Sequence, residues 1–395
     1  MVSKKAEEKR HYFDWAASAP FVSCPQVGEN PSFGKDAFLG NPSSLHSEGR
    51  AAKLALEDAR SRCAAVLNVP PETLYFTSGG TESNSIALFS TLLKKGQGRI
   101  ISSKTEHSSI REGVETLEKM GRPIGAIDVD STGRVTPALL EKALAKYGDV
   151  RFAAIMAVNN ETGAVTDTAS LRDVIRKHTE AGSPPVHFHC DLVQAAGKIP
   201  LDIQNWEIDS ASISGHKIGA PRGIGLLYLR NKTDIFYTGG GQERGVRGGT
   251  ENTQGAAALA ACIEKYASPE AVRTEYDRAN TRWKKLISSL CAMGRCTIIP
   301  QERVENEDDF SPYILQAAFR GIPGEVMVRA LDDLGFAVST GSACAASSPE
   351  RPVLLAMGLE ESLRIEGIRV SQGWSTTDED IDLLLDAIAE VLKFL

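Results

Sequence analysis

Seven consecutive apolar residues, Phe152-Ala153-Ala154-Ile155-Met156-Ala157-Val158, constrain this chain more than any other stretch. A strand with no polar position on either face must be covered on both, as happens inside a parallel or mixed sheet flanked by helices. The neighbouring segments agree. From about residue 42 to about residue 262, helix-like and strand-like patterns alternate, the signature of an α/β layer structure. Strands are expected at 74–76, 99–102, 186–191 and 226–229. Helices are expected over 47–67, 81–93 and 171–181, with a longer one starting near residue 251.

A length of 395 residues exceeds what one core comfortably supports, so two domains are expected. The pattern changes after residue 262: an acidic loop at 301–309, a strand at 314–319 and an amphipathic terminal helix at 378–395 describe a smaller α+β domain. The expected division is 24–263 for the large domain and 264–395 for the small one, with 1–23 joining the latter. A net charge of −7 with no basic stripe argues against nucleic acid as a partner. No apolar run is long enough to span a bilayer, and the charged first ten residues do not read as a secretory signal. Seven cysteines, odd in number and without a Cys-x-x-Cys, fit a reducing cytoplasm rather than a disulfide framework or zinc site.

Several polar residues stand where this pattern turns from strand to loop. Lys217 closes the run Ser210-Ala211-Ser212-Ile213-Ser214-Gly215-His216-Lys217, just before a glycine-rich turn. A lysine confined there can lose its proton and form a Schiff base with an aldehyde; on open surface it would be an ordinary cation. Thr77-Ser78-Gly79-Gly80-Thr81-Glu82 marks a helix start that either cradles a phosphate or is a turn with a cap. Asp191 ends an apolar strand, where it can pair with a protonated ring nitrogen, cap a helix, or join His187 and His189 on one strand face as a metal ligand. His107 can stack on a flat ring and move protons, or cap a helix. Asn159-Asn160-Glu161-Thr162-Gly163 follows the buried strand, at the edge where open α/β sheets bind ligands. Cys344 lies among small residues followed by prolines, the composition of an exposed loop carrying a reactive thiol. Arg369, in a strand-like segment, can grip a carboxylate bidentately or pair with a neighbouring acid.

In order and spacing these segments resemble the pyridoxal-phosphate-dependent cysteine desulfurases of the class V aminotransferase superfamily, which have fold-type I. The resemblance runs from Phe13-Asp14-Trp15-Ala16-Ala17 through Ser78-Gly79-Gly80-Thr81-Glu82, Val158-Asn159-Asn160-Glu161-Thr162-Gly163 and Gly215-His216-Lys217. It continues through Gly240-Gly241-Gln242-Glu243-Arg244-Gly245 and Gly249-Thr250-Glu251-Asn252, to Gly341-Ser342-Ala343-Cys344 and Ile368-Arg369-Val370-Ser371. It implies a mostly parallel mixed sheet flanked by helices, plus a smaller α+β domain.

The resemblance also implies roles. Lys217 would carry pyridoxal 5'-phosphate as a Schiff base, Asp191 would face its ring nitrogen, and His107 would stack on the ring and serve as acid–base group. Asn159 and Gln194 would bind near the ring hydroxyl, while Gly80, Thr81, Ser214 and His216 would hold the phosphate. Thr250 would reach the phosphate of the other subunit, implying a homodimer. Arg369, with Asn159 beside it, would take the carboxylate of L-cysteine. The Cys344 thiolate would remove the substrate's sulfur, release alanine and pass the persulfide to an acceptor such as an iron–sulfur scaffold protein. No metal, nucleic acid or membrane enters, and the implied location is cytoplasmic. Another class V enzyme (an aminotransferase, selenocysteine lyase or other β-lyase) is the alternative. The chain departs from the family pattern after Cys344, at Ser348-Pro349-Glu350-Arg351-Pro352, where the segment is slightly shorter. It also has Ala220 in place of a usual glycine and Cys190 in place of an aliphatic residue.

Overall fold

The computed structural model describes residues 10–22, 38–94, 96, 98–236, 239–341 and 351–395. Cys24 and Cys344 lie outside these residues. The described strands, in chain order, are β1 (His11–Tyr12), β2 (Leu74–Thr77), β3 (Arg99–Ser103), β4 (Ile124–Ile127), β5 (Val150–Met156) and β6 (His187–Asp191), followed by β7 (Ser210–Ser214), β8 (Gly225–Leu229), β9 (Cys296–Ile299), β10 (Ile314–Phe319), β11 (Phe336–Ala337) and β12 (Gly367–Ser371). The helices are α1 (Ser47–Leu67), α2 (Gly80–Phe89), α3 (Ser108–Lys119), α4 (Pro137–Tyr147), α5 (Thr168–Glu180), α6 (Thr253–Tyr266) and α7 (Pro269–Ala292), with α8 (Gly324–Asp333), α9 (Pro352–Ala356), α10 (Glu361–Glu366) and α11 (Asp378–Phe394) completing the set.

Seven strands form one sheet in the order β2-β8-β7-β6-β5-β3-β4. From β4 across to β7 the pairing is parallel, while β8 is antiparallel to both of its neighbours. The apolar run sits at its centre as β5, and alternation sends its side chains to two cores. Phe152 and Ala154 pack with Ile86 and Leu88 of α2 and Ile110 and Leu117 of α3. Ala153 and Ile155 pack with Leu56 of α1, Leu140 of α4, Leu171 of α5 and Leu259 of α6. Both faces are therefore dry from Phe152 onward, which is why that stretch carries no polar residue, while Arg151 at the start of the strand is exposed. The ladder ends at Met156 rather than Val158.

The second sheet, β12-β10-β9, is antiparallel and builds its own core against α7, α8 and α11, around Trp283, Leu315, Met327 and Leu384. The N-terminal segment joins this core. Phe13 is buried in it, β1 pairs parallel with β11, and Asp14 bridges to Ser371. Beyond Asp14 the segment crosses to the large sheet, where the Ala19 N–H donates to the His216 carbonyl at 2.9 Å. The acidic stretch expected as a loop contains two short 3-10 turns, Gln301–Val304 and Glu307–Asp309. Among the described residues no helix is long and apolar enough to cross a membrane.

Candidate active site

The carboxyl ends of the parallel strands converge on one cavity of about 260 Å³. Met156 comes from the end of β5, Asp191 from the end of β6, and Ser214 from the end of β7. The 3-10 turn Gly215–Lys217 then brings His216 and Lys217 to the same wall. This is where an open α/β sheet leaves a crevice. The turn is tight: a Cβ on Gly215 would stand 2.9 Å from the Ile224 carbonyl oxygen.

The first turn of α2 presents Gly80 and Thr81 to the same cavity. Gly79 caps that helix with φ +151°, and a Cβ on Gly80 would meet Val193 Cγ2 at 2.6 Å, so glycine lets the backbone approach closely. The N–H groups of a helix's first turn have no partner within the helix, which makes this end of the cavity suited to an anion.

His107 is the N-cap of α3. Its Nδ1 accepts the Ser109 N–H at 3.2 Å and lies 2.9 Å from Ser109 Oγ. Burial lowers its pKa; the nearby Asp191 opposes this and Lys217 reinforces it. The result is a neutral, flat wall. His216 is pushed down to about 4 by burial and by the Lys217 charge beside it. Asp191 Oδ1 accepts the Val193 N–H at 2.9 Å, and Oδ2 accepts Asn84 Nδ2–H at 2.8 Å.

The N-terminal segment closes the cavity. Lys217 Nζ donates to the carbonyls of Ala16 at 2.5 Å and Ala17 at 2.8 Å. Gln194 Nε2 donates to the same Ala16 oxygen at 2.9 Å, while its Oε1 accepts from buried Lys198. Arg369 enters from the second sheet, 1% exposed. Its Nη1 donates to the Asn160 carbonyl and its Nη2 to Asp14 Oδ1, both at 2.9 Å. Arg369 thus lines the cavity and pairs with an acid, Asp14.

Lys217, His107, Gly80, Thr81, Asp191, Gln194, Ser214, His216 and Arg369 line this one cavity. Asn159 does not line it. Its Oδ1 accepts the N–H groups of Glu161 and Thr162, and its Nδ2 donates to the Thr105 carbonyl, so it braces the turn that turns Asn160 to the cavity. Thr250 is exposed and outside the lining. Cys344 lies outside the described residues. Asn84, Ser109 and Asn160 also line the site. Asn84 was legible in principle, because it stands one helical turn after Gly80 on the same face of α2; Ser109 carries no periodic signal. Among the described residues no group of three or more His, Cys, Asp or Glu side chains is arranged to hold a metal. His187 and His189 instead bond Ser210 and stack on Phe152.

An amine, a carboxylate and an imidazole wall around a cleft that ends at a helix start suit a flat, cationic ring bearing an aldehyde and an anionic group.

Comparison with known proteins gives a consistent picture. The model for the aminotransferase class-V family matches residues 11–384. The cysteine desulfurase IscS of Vibrio cholerae serotype O1 is 36% identical over 387 residues, covering 95% of this chain and 91% of that protein. A solved NifS-like protein superposes with a TM-score of 0.85 at 32% identity, covering 98% of this chain and all of the other. A structure of SspA in complex with cysteine superposes with a TM-score of 0.74 at 28% identity, covering 91% and 98%.

Proposed function

The chain belongs to the class-V aminotransferase family, and on that premise we propose that it is a cysteine desulfurase. It converts L-cysteine to L-alanine and passes the sulfur, through a persulfide on Cys344, to an acceptor such as an iron–sulfur scaffold protein. The observation that carries this reading is the meeting of Lys217, Asp191 and His107 in one cavity closed by Arg369. The full-length similarity to cysteine desulfurases supports it.

The side chains fit pyridoxal 5'-phosphate: Lys217 for its aldehyde, Asp191 for its ring nitrogen, His107 against its face, and Gly80, Thr81, Ser214 and His216 for its phosphate. When bound, the group supplies an electron sink for charge developing on the substrate. Lys217 must shed its ammonium proton to act, and the Ala16 and Ala17 carbonyls hold the amine in place. Asp191, with an N–H on each oxygen, remains an acceptor facing the cavity. Arg369 holds the substrate's carboxylate. Lys217 and His107 move protons to and from its carbon skeleton. The Cys344 thiolate attacks the substrate's sulfur; the S–S bond forms as the carbon–sulfur bond breaks, and the pair left on carbon takes up a proton to give alanine.

In this reading residues 264–395 form the smaller domain, with 1–23 joining it, and exposed Thr250 reaches the site of a second copy in a homodimer. Replacing Cys344 with serine tests the assignment. Loss of alanine and sulfide production, with the cofactor's visible absorption retained, supports it. Retained turnover would instead support a β-lyase in which Cys344 is incidental.

A further inference from the structure

A chain of hydrogen bonds runs from Lys94 to the cavity wall, where it ends on Asp191 and His107. Lys94 Nζ lies 3.5 Å from His187 Nδ1, and His187 Nε2 lies 2.7 Å from Ser210 Oγ. Ser210 Oγ lies 2.8 Å from His189 Nδ1, and His189 Nε2 lies 2.9 Å from Asn84 Oδ1. Asn84 Nδ2 then donates to Asp191 Oδ2 at 2.8 Å and to Ser109 Oγ at 2.9 Å, and Ser109 Oγ lies 2.9 Å from His107 Nδ1. His189 and Ser210 are 0% exposed and Asn84 is 1%.

With Asp191 accepting at one end and Lys94 donating at the other, one arrangement of protons satisfies every contact. Asp191 accepts on both oxygens, so the Asn84 NH₂ faces it and the Asn84 carbonyl faces His189. His189 must then carry its proton on Nε2, leaving Nδ1 to accept the Ser210 hydroxyl proton. Ser210 in turn accepts Nε2–H of His187, whose Nδ1 accepts from the Lys94 ammonium. Both ends of the chain, an acceptor at Asp191 and a donor at Lys94, dictate the same direction. At the near end, Ser109 accepts from Asn84 and donates to His107 Nδ1, so His107 carries its proton on Nε2.

From this geometry we infer that His189 and Ser210 are positioning residues, which set the orientation of the Asn84 amide and through it the acceptor face of Asp191. With the proton of His189 on Nδ1, the ring would accept from Asn84 instead. The amide would turn over, set its oxygen against the Asp191 carboxylate, and deprive both Asp191 and Ser109 of a donor. The chain orients and does not conduct, because the Asn84 amide is no proton relay. The inference rests on Asp191 facing the ring nitrogen of pyridoxal 5'-phosphate.

Two measurements on the full-length protein test it. In histidine-selective nitrogen-15 NMR of the apo-protein, His189 should show a protonated Nε2 and a bare Nδ1 from pH 6 to 9. A proton on Nδ1, or on both nitrogens, overturns the proposal. Ser210→Ala removes one oxygen and breaks the chain; the dissociation constant for pyridoxal 5'-phosphate should rise about tenfold, with a shifted pH dependence of its absorption band. Lys94→Met, at the exposed far end, should move both readouts in the same direction by less. A lower melting temperature of the Ser210→Ala apo-protein with unchanged cofactor affinity and spectrum would reduce the chain to packing and overturn the inference. Failure of the wild-type apo-protein to bind pyridoxal 5'-phosphate at all would overturn the proposed function as well.

Discussion

Arg369 and Asp14, 355 positions apart, meet at 2.9 Å in a contact that ties the N-terminal segment to the last strand of the second sheet. The guanidinium has a second bond to the Asn160 carbonyl, while its buried Nε has no partner. A substrate carboxylate arriving in the cavity would take up the second N–H of Nη1 and of Nη2. Replacing Arg369 with lysine keeps the charge and loses the planar geometry, removing about 1.5–3 kcal/mol of charged hydrogen bonding. KM for L-cysteine should therefore rise at least tenfold by steady-state assay, with kcat reduced much less. An unchanged KM would mean that Arg369 serves only Asp14.

Lys217 gives a second prediction. Reduction with borohydride in the presence of pyridoxal 5'-phosphate should leave the pyridoxyl label on the Lys217 peptide. Lys217→Ala should carry no stable label and should turn over L-cysteine at least a thousandfold more slowly, as expected when a covalent catalyst is removed.

The third prediction concerns pH. Burial, opposed by a Ser103 hydrogen bond and reinforced by Asp191, raises the Glu106 carboxyl to about 8. Its folded value lies above its unfolded one, so the folded state holds the extra proton between about 4.5 and 8, and stability declines as pH rises across that window. His187 and His189, pushed to about 3 by burial, act on the other side: they stay neutral when folded, and their contribution is lost as pH falls below about 6.5. Thermal unfolding of the apo-protein should therefore peak between these limits. Glu106→Gln, which mimics the protonated acid, should match the wild type near pH 5 and be more stable at pH 9. Parallel melting curves at both pH values would contradict the assignment.

A fourth prediction lies outside the cavity. Arg60 and Glu243 form a buried bidentate pair, with both bonds at 2.8 Å. Glu243 also accepts the Phe76 N–H. This pair anchors a turn in which Glu243 and Arg244 both adopt positive φ, at 46° and 55°. Arg60→Met would leave the carboxylate buried without its partner and should cost about 3–5 kcal/mol in denaturant unfolding. Adding Glu243→Gln to that variant should recover part of the loss.

The fold was readable where period and burial act alone. The apolar β5 run and the helix over residues 47–67 follow from which faces must be dry. The expected helix over 81–93 gives up its α geometry at Phe89 and continues as a 3-10 turn from Ser90 to Leu93, a distinction that apolar spacing does not encode. Within the site, Lys217, Asp191 and His107 were visible because each ends or follows a strand. Ala16 and Ala17 contribute carbonyl groups, which any residue has, so their hold on Lys217 could not be read from side-chain type. Asn159 shows the same limit: its amide serves the turn behind the cavity, while its neighbour Asn160 faces the cavity. The network through Ser210 joins residues from four separate elements and exists only once the sheet has formed.

In the proposed reaction sulfur leaves L-cysteine for Cys344. Incubating the holoenzyme with sulfur-34-labelled L-cysteine and analysing the Cys344 peptide by mass spectrometry tests it most directly. One added sulfur-34 on that peptide is expected, with one alanine released for each sulfur bound. Alanine or another product formed without any sulfur-34 on Cys344 would contradict it.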